Sequence, residues 1–211
     1  MKTVLVTGSN GFIGRNLIQN LSRKKTEYKI ITFGRNNSLE DLKSSLAQAD
    51  FVYHLAAVNR TSDEKDFERI NVGLTKQIVD ILIDMDRKVS IVMTSSVQAL
   101  EDNPYGKSKK AAEEILKDYS NKIKASVYIY RLPNVFGKWG KPNYNSVVST
   151  FCYNITHEKD IWISDENKEI ELVYIDDVVR EFTRLLEVQD VGKTEFFEVK
   201  PTFKITLGEL A

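Results

Sequence analysis

Three glycines spaced three residues apart, in Thr7-Gly8-Ser9-Asn10-Gly11-Phe12-Ile13-Gly14, stand between a β-branched apolar run and an amphipathic one. The run before them, Thr3–Val6, predicts a buried strand, and the run after them, Phe12–Arg23, predicts a helix. A turn so flanked has narrow tolerances. Gly8 permits a tight reversal, Gly11 removes a side chain where a pyrophosphate must approach, and Gly14 lets the helix pack closely on the strand. The first helical N–H groups and the positive end of the helix dipole then converge on one point. The expectation is a dinucleotide site built by Gly8, Asn10, Gly11, Phe12, Ile13 and Gly14.

The remaining pattern agrees with such a turn. Ile30–Phe33, Phe51–Leu55, Ser90–Thr94 and Ser126–Tyr130 read as further buried strands. Helical patterns lie between them, near Leu39–Gln48, Asp63–Ile83 and Tyr105–Tyr119. Alternation of this kind predicts right-handed crossovers and a doubly wound parallel α/β sheet, a Rossmann fold, over residues 1–135. Residues 136–211 read as a small substrate-binding portion mixed with late sheet elements: a helix near Ser146–His157, a strand Glu171–Tyr174, a helix from Asp176 to about Glu187 and a strand Glu195–Val199. An N-cap role explains the Asp176-Asp177 pair without chemistry. A last helix begins at Thr206 and runs one turn, too short to stand alone, so the chain reads as truncated.

Composition narrows the partners. Lys+Arg and Asp+Glu are both 30, so no global field recruits nucleic acid or an anionic membrane. Cys152 is the only cysteine, which rules out an internal disulfide and suits a reducing compartment. The first apolar run is too short for a signal peptide or a membrane span, and the reading is a cytoplasmic protein. No metal is expected. The second strand ends Thr32-Phe33-Gly34-Arg35, with a guanidinium where NAD-type turns place an acid for the ribose, so Arg35 favours NADP(H).

The TGxxGxxG spacing, the strand end Leu55-Ala56-Ala57, and Tyr105-Gly106-Lys107-Ser108-Lys109 together resemble the extended short-chain dehydrogenase/reductase superfamily, the NAD-dependent epimerase/dehydratase branch that works on nucleotide sugars. The resemblance adds Leu55, Ala56, Ala57, Tyr105 and Lys109 to the cofactor contacts. Tyr105 and Lys109 stand one turn apart on one helix face, so the ammonium is expected to lower the phenol's pKa. Pro104 fits the first helical turn. A proton-donating tyrosine needs a second donor on the carbonyl oxygen, and the family motif places Ser96 there, with Ser95 as the alternative. Asn71 sits where the family carries an active-site asparagine, though a helix-surface role serves as well.

Family members use these residues for epimerisation, dehydration or carbonyl reduction. The dehydratases carry an Asp-Glu pair after the strand-end hydroxyl, and here Ser96 is followed by Val97-Gln98-Ala99. One helix between Arg35 and Phe51 fills the space that usually holds an additional strand. The stretches around Tyr105 and Arg131–Val147 resemble the capsular-polysaccharide reductases in which a cupin domain follows the reductase domain. That resemblance implies NADPH-dependent reduction of the 4-keto group of a UDP-linked 6-deoxy amino sugar for capsule or O-antigen, a possible homodimer, and a cupin domain missing from this chain. It places Asn134 on the substrate diphosphate. Lys138 and Lys141 are candidates for the same diphosphate, and Asn143 falls with Pro142, Tyr144 and Asn145 over the site. A nucleotide-sugar epimerase and a non-catalytic NADP-binding sensor are the alternatives.

Overall fold

The computed structural model describes residues 1–24 and 26–211. The main sheet is built from β1 (Lys2–Thr7), β2 (Tyr28–Phe33), β3 (Phe51–His54), β4 (Ser90–Ser96), β5 (Val127–Leu132) and β8 (Thr194–Phe197). Its strands are all parallel and lie in the order β2-β1-β3-β4-β5-β8. This is the expected doubly wound α/β fold.

Pleating sorts the side chains of β1 between two cores. Val4 and Val6 point to the face covered by α1 (Phe12–Leu21) and α6 (Ile175–Arg184), where they join Leu17, Leu21, Val178 and Phe182. Leu5 points the other way, toward α2 (Leu39–Gln48), α3 (Gly73–Asp84) and α4 (Pro104–Ile123), and joins Leu42, Leu46, Ile78 and Leu116. Helices on both faces explain why the strands read as continuous apolar runs rather than alternating ones.

From β2 the chain runs through α2 directly to β3, which pairs with the other side of β1. The single helix between Arg35 and Phe51 therefore leaves β2 as the sheet edge. α2 itself starts cleanly, because Ser38 and Asp41 form a reciprocal capping box. The strand order reverses between β1 and β3, and in open α/β sheets a crevice opens at such a point beyond the carboxyl ends of the strands.

Several elements differ from the sequence expectation. The helix expected over Asp63–Ile83 is a π-helical segment, Phe67–Val72, running into α3. Two short strands escaped notice, β6 (Asn134–Phe136) and β9 (Thr202–Thr206); with β7 (Glu169–Tyr174) they form a second sheet in the order β6-β7-β9. Neither carries a periodic signal of its own, and both exist by pairing with β7. At α6 the N-cap is Tyr174, without a side-chain cap bond, so Asp176 and Asp177 occupy the first turn instead of capping it. There they favour the dipole, and Asp177 accepts from Arg180 at 2.7 Å. The one-turn α7 (Leu207–Leu210) does begin after Thr206, held by a capping box with Glu209. Among the described residues no helix is long and apolar enough to cross a membrane.

Candidate active site

A cavity of about 710 Å³ opens at the carboxyl ends of β1, β3, β4 and β5, where the strand order reverses. Its floor on one side is the glycine turn. Gly8 has φ +66°, and a Cβ there would sit 2.7 Å from the backbone nitrogen of Ala56; one at Gly14 would meet the carbonyl oxygen of Gly8 at 2.3 Å. Gly11 is the N-cap of α1, and no side chain caps that helix. The turn is thus a cradle that any Cβ would fill, with helix N–H groups left to face an anion, which fits a pyrophosphate.

This turn is wired to the end of β3. The backbone N–H groups of Leu55 and Ala56 both donate to Thr7 Oγ1 at 3.2 Å. Thr7 Oγ1, having accepted twice, donates its own proton to His54 Nδ1 at 2.9 Å. His54 Nε2–H therefore donates to Thr75 Oγ1 at 2.9 Å, and Thr75 passes its proton to the carbonyl of Asn71 at 2.7 Å. Burial, assisted by the charge of Lys109, pulls the His54 pKa down to about 3, so the ring stays neutral and the relay keeps one sense.

Across the cavity, α4 presents a line of side chains one turn apart. Asn103 caps it, accepting from the Gly106 N–H at 2.7 Å, and Pro104 lies in its first turn. Tyr105 and Lys109 both line the cavity. Lys109 is buried, and burial lowers its pKa to about 8 against the raising charge of Glu113. For Tyr105 the expected lowering by Lys109 is not what the structure shows. Burial raises the phenol above its ordinary value; the Ser96 hydroxyl opposes that shift and Tyr144 adds to it.

One turn further along, the fully buried Glu113 anchors this wall. It accepts from Arg131 Nε at 3.0 Å and Nη2 at 2.6 Å, and from Ser95 Oγ at 2.5 Å. The bond commits the Ser95 proton to Glu113. Ser96 Oγ accepts from the Gln98 N–H at 3.2 Å and turns its own hydroxyl toward Tyr105, so its proton is not committed to Glu113. Sequence reasoning did not single out Glu113, although its position eight residues after Tyr105 on one helix puts it on the same face.

The other expected residues divide. Asn10, Phe12, Ile13, Arg35, Leu55, Ala57, Asn134 and Lys141 line the cavity. The side chains of Lys138 and Asn143 do not: Lys138 Nζ turns away to Gln19 Oε1 at 3.2 Å, and Asn143 is a loop residue with φ +53°. Ala56 contributes its backbone N–H to Thr7 instead. Asn71 is neither a surface residue nor a cavity residue. It is buried, accepting from the Val58 N–H at 2.8 Å and donating to Ser108 Oγ at 2.9 Å, and so clamps the π-helical segment to α4. Arg15, Arg60, Gln98 and Trp139 line the cavity without having been anticipated.

Residues 4–199 match the model of the family described as "NAD dependent epimerase/dehydratase family". The chain belongs to that family. Among other members, it is 44% identical over 208 residues to a UDP-2-acetamido-2,6-beta-L-arabino-hexul-4-ose reductase of Pseudomonas aeruginosa, covering 99% of this chain and 55% of that protein. The crystal structure of the capsular polysaccharide assembling protein CapF from Staphylococcus aureus superposes with a TM-score of 0.83 at 43% identity, over 98% of this chain and 56% of that one. This epimerase/dehydratase-family chain thus spans about half the length of these two relatives. UDP-glucuronic acid 4-epimerase from Bacillus cereus shares the fold, with a TM-score of 0.85 at 21% identity.

Proposed function

We propose that this chain is an NADPH-dependent reductase acting on the 4-keto group of a UDP-linked 6-deoxy amino sugar, in the supply of capsular polysaccharide or O-antigen precursors. The observation that carries the reading is the convergence of Ser96, Tyr105 and Lys109 on one cavity wall opposite a glycine turn built for a pyrophosphate. The reductase of Pseudomonas aeruginosa, 44% identical, supports the substrate class, and CapF, 43% identical, supports the capsular polysaccharide role. Val97-Gln98 in place of a carboxylate pair removes the groups a dehydration would need. In this reading residues 1–135 hold the cofactor and 136–211 contribute to the sugar site.

The bound cofactor would supply a hydride to the sugar's carbonyl carbon. Gly8, Asn10, Gly11, Phe12, Ile13 and Gly14, which line the cavity, would hold its pyrophosphate, with Leu55 and Ala57 at the neighbouring strand end. Arg35 lies at the end of β2 with no acid in the strand-end turn Gly34-Arg35-Asn36-Asn37, and an exposed guanidinium there selects a 2′-phosphate. Ser96, which faces Tyr105, donates its hydroxyl to the carbonyl oxygen once the sugar is bound and fixes the reacting carbon. Tyr105 then gives its phenolic proton to that oxygen as charge develops. A phenol held above its ordinary pKa is fully protonated at neutral pH, which is the state a reductase needs. Ser96 stabilises the phenolate left behind, Lys109 keeps an ammonium on the same wall of the cavity, and solvent at the cavity mouth restores the proton. In this reading Asn134 and Lys141, which line the cavity, meet the substrate diphosphate.

The test is incubation with NADPH and a UDP-4-keto-6-deoxy sugar while the reduced cofactor is followed by absorbance. Consumption of one NADPH per sugar reduced is expected. A sugar isomerised without net oxidation would make the protein an epimerase, and binding without turnover would make it a sensor.

A further inference from the structure

The loop after β6 is bound to the cofactor-binding helix by contacts that the chemistry above does not use. Asn16, buried on α1, donates through Nδ2 to the carbonyl of Lys138 at 2.9 Å and to that of Phe12 at 2.9 Å. The next residue, Trp139, has two cations over its ring, Arg15 Cζ at 4.7 Å from the centroid and Lys138 Nζ at 4.2 Å. Trp139 adopts φ +69°, a left-handed conformation that a bulky side chain rarely takes. Such a conformation persists only where the surroundings over-determine it. Here they do: a Cβ on Gly137, at φ +132°, would meet Ile175 Cγ2 at 2.5 Å and Tyr174 Cε2 at 2.9 Å, and one on Gly140 would overlap Ser149 Oγ at 2.1 Å. The loop then returns through Asn143, whose N–H donates to Thr150 Oγ1 at 2.9 Å.

The result is a ring presented to the cavity. Arg15 and Trp139 both line the cavity, as do Lys141, Tyr144 and Asn145 from the same loop. Arg15 follows Gly14 directly, yet its guanidinium lies over the indole rather than over the glycine turn. A planar cation on an aromatic face fixes the ring's orientation as well as its position.

We infer that Arg15 is a positioning residue for the sugar nucleotide: from the cofactor-binding helix it holds Trp139, and through it the loop 137–145, in the conformation that receives the substrate's nucleoside diphosphate. The inference rests on the reductase reading for the identity of that ligand. Arg15 belongs by sequence to the cofactor turn and by contact to the substrate loop, so loss of its side chain separates the two affinities.

The experiment measures binding of NADPH and of UDP separately, by calorimetric titration of the intact chain and of Arg15→Gln, Arg15→Lys, Trp139→Ala and Trp139→Phe. Arg15→Gln and Trp139→Ala are expected to weaken UDP roughly tenfold with NADPH affinity unchanged. Arg15→Lys and Trp139→Phe, which keep a cation and a ring, should recover most of that loss. Thermal unfolding of each variant accompanies the titration, and unchanged NADPH affinity itself reports an intact fold. If Arg15→Gln weakens NADPH as much as UDP, Arg15 is a cofactor ligand and the inference falls. If UDP binds wild type and both variants equally, the stack positions nothing and the inference falls. Failure of the wild-type chain to bind UDP at all would overturn the inference together with the substrate assigned above, whereas UDP binding without sugar reduction would overturn only the reductase reading.

Discussion

Lys109, on the wall proposed for catalysis, is a cost to stability. Its pKa of about 8 against an ordinary 10.5 means that the folded protein resists its charge, a penalty on the order of 3 kcal/mol at neutral pH. Lys109→Met should therefore raise the melting temperature at pH 7 by several degrees, read by calorimetry, while abolishing turnover. Tyr105→Phe should leave stability nearly unchanged and lower kcat by roughly a hundredfold or more; normal turnover by that variant would sink the proton-donor role. Arg35→Ser is expected to weaken NADPH about tenfold or more with NADH little affected, since a charge-assisted pair contributes roughly 1.5–3 kcal/mol. Comparing KM for the two cofactors tests it. The place of such residues on the cavity was legible because it is tied to fixed spacing in the sequence: Gly8, Gly11 and Gly14 by the turn, Tyr105 and Lys109 by one helical turn. Glu113 was not, because a carboxylate on an amphipathic helix looks solvated until Arg131 and Ser95 arrive from β5 and β4.

At the level of elements, the position of α4 depends on backbone contact. Gly106 lies against the short 3₁₀ turn Val97–Leu100, and a Cβ there would come within 2.0 Å of the Gln98 carbonyl oxygen and 3.0 Å of that of Glu101. Neither acceptor is a flexible side chain, so the helix itself must move. Gly106→Ala should cost about 1–3 kcal/mol and displace Tyr105 from Ser96; a fall in kcat exceeding any rise in NADPH Kd would identify misplacement, and an unchanged kcat would show that the turn yields instead. The strands of the main sheet were readable from their apolar runs, since both faces are covered. Elements whose existence rests on partners were not. β9 owes its form to antiparallel pairing with β7, and the π-helical segment Phe67–Val72 to the Asn71 clamp on Val58 and Ser108. The loop 137–145 was recognised as lying near a substrate, but only the fold shows that Lys138 faces away from the cavity while Trp139 faces it.

For the molecule as a whole, the buried titrating groups set a pH profile of stability. His54 is neutral in the fold down to about pH 3 but accepts a proton in the unfolded chain below about 6.5, so stability is lost as pH falls through that interval. Lys109 works in the same sense higher up: the unfolded chain holds its proton to about 10.5 and the folded one to about 8, so stability rises with pH between the two. Tyr53, Tyr119 and Tyr130 act oppositely. Burial raises each, Tyr119 to about 12, so their contribution is present below pH 10 and is lost above it. Urea unfolding across pH should give greatest stability near pH 9–10, and Lys109→Met should flatten the rise above pH 8.

The direct path from β2 through α2 to β3 also bears on kinetics. In the usual dinucleotide-binding order a further strand flanks the second one, whereas here β2 is the outermost strand. The turn at Arg35, proposed above for the adenosine end of the cofactor, consequently has no strand beyond it, and a ligand held there would have an open side by which to leave. An epimerase regenerates its cofactor within each cycle and gains from never letting go. A reductase must discard the oxidised form and take up the reduced one every time, so a site built for rapid exchange suits it, and stopped-flow release of NADP should outpace kcat.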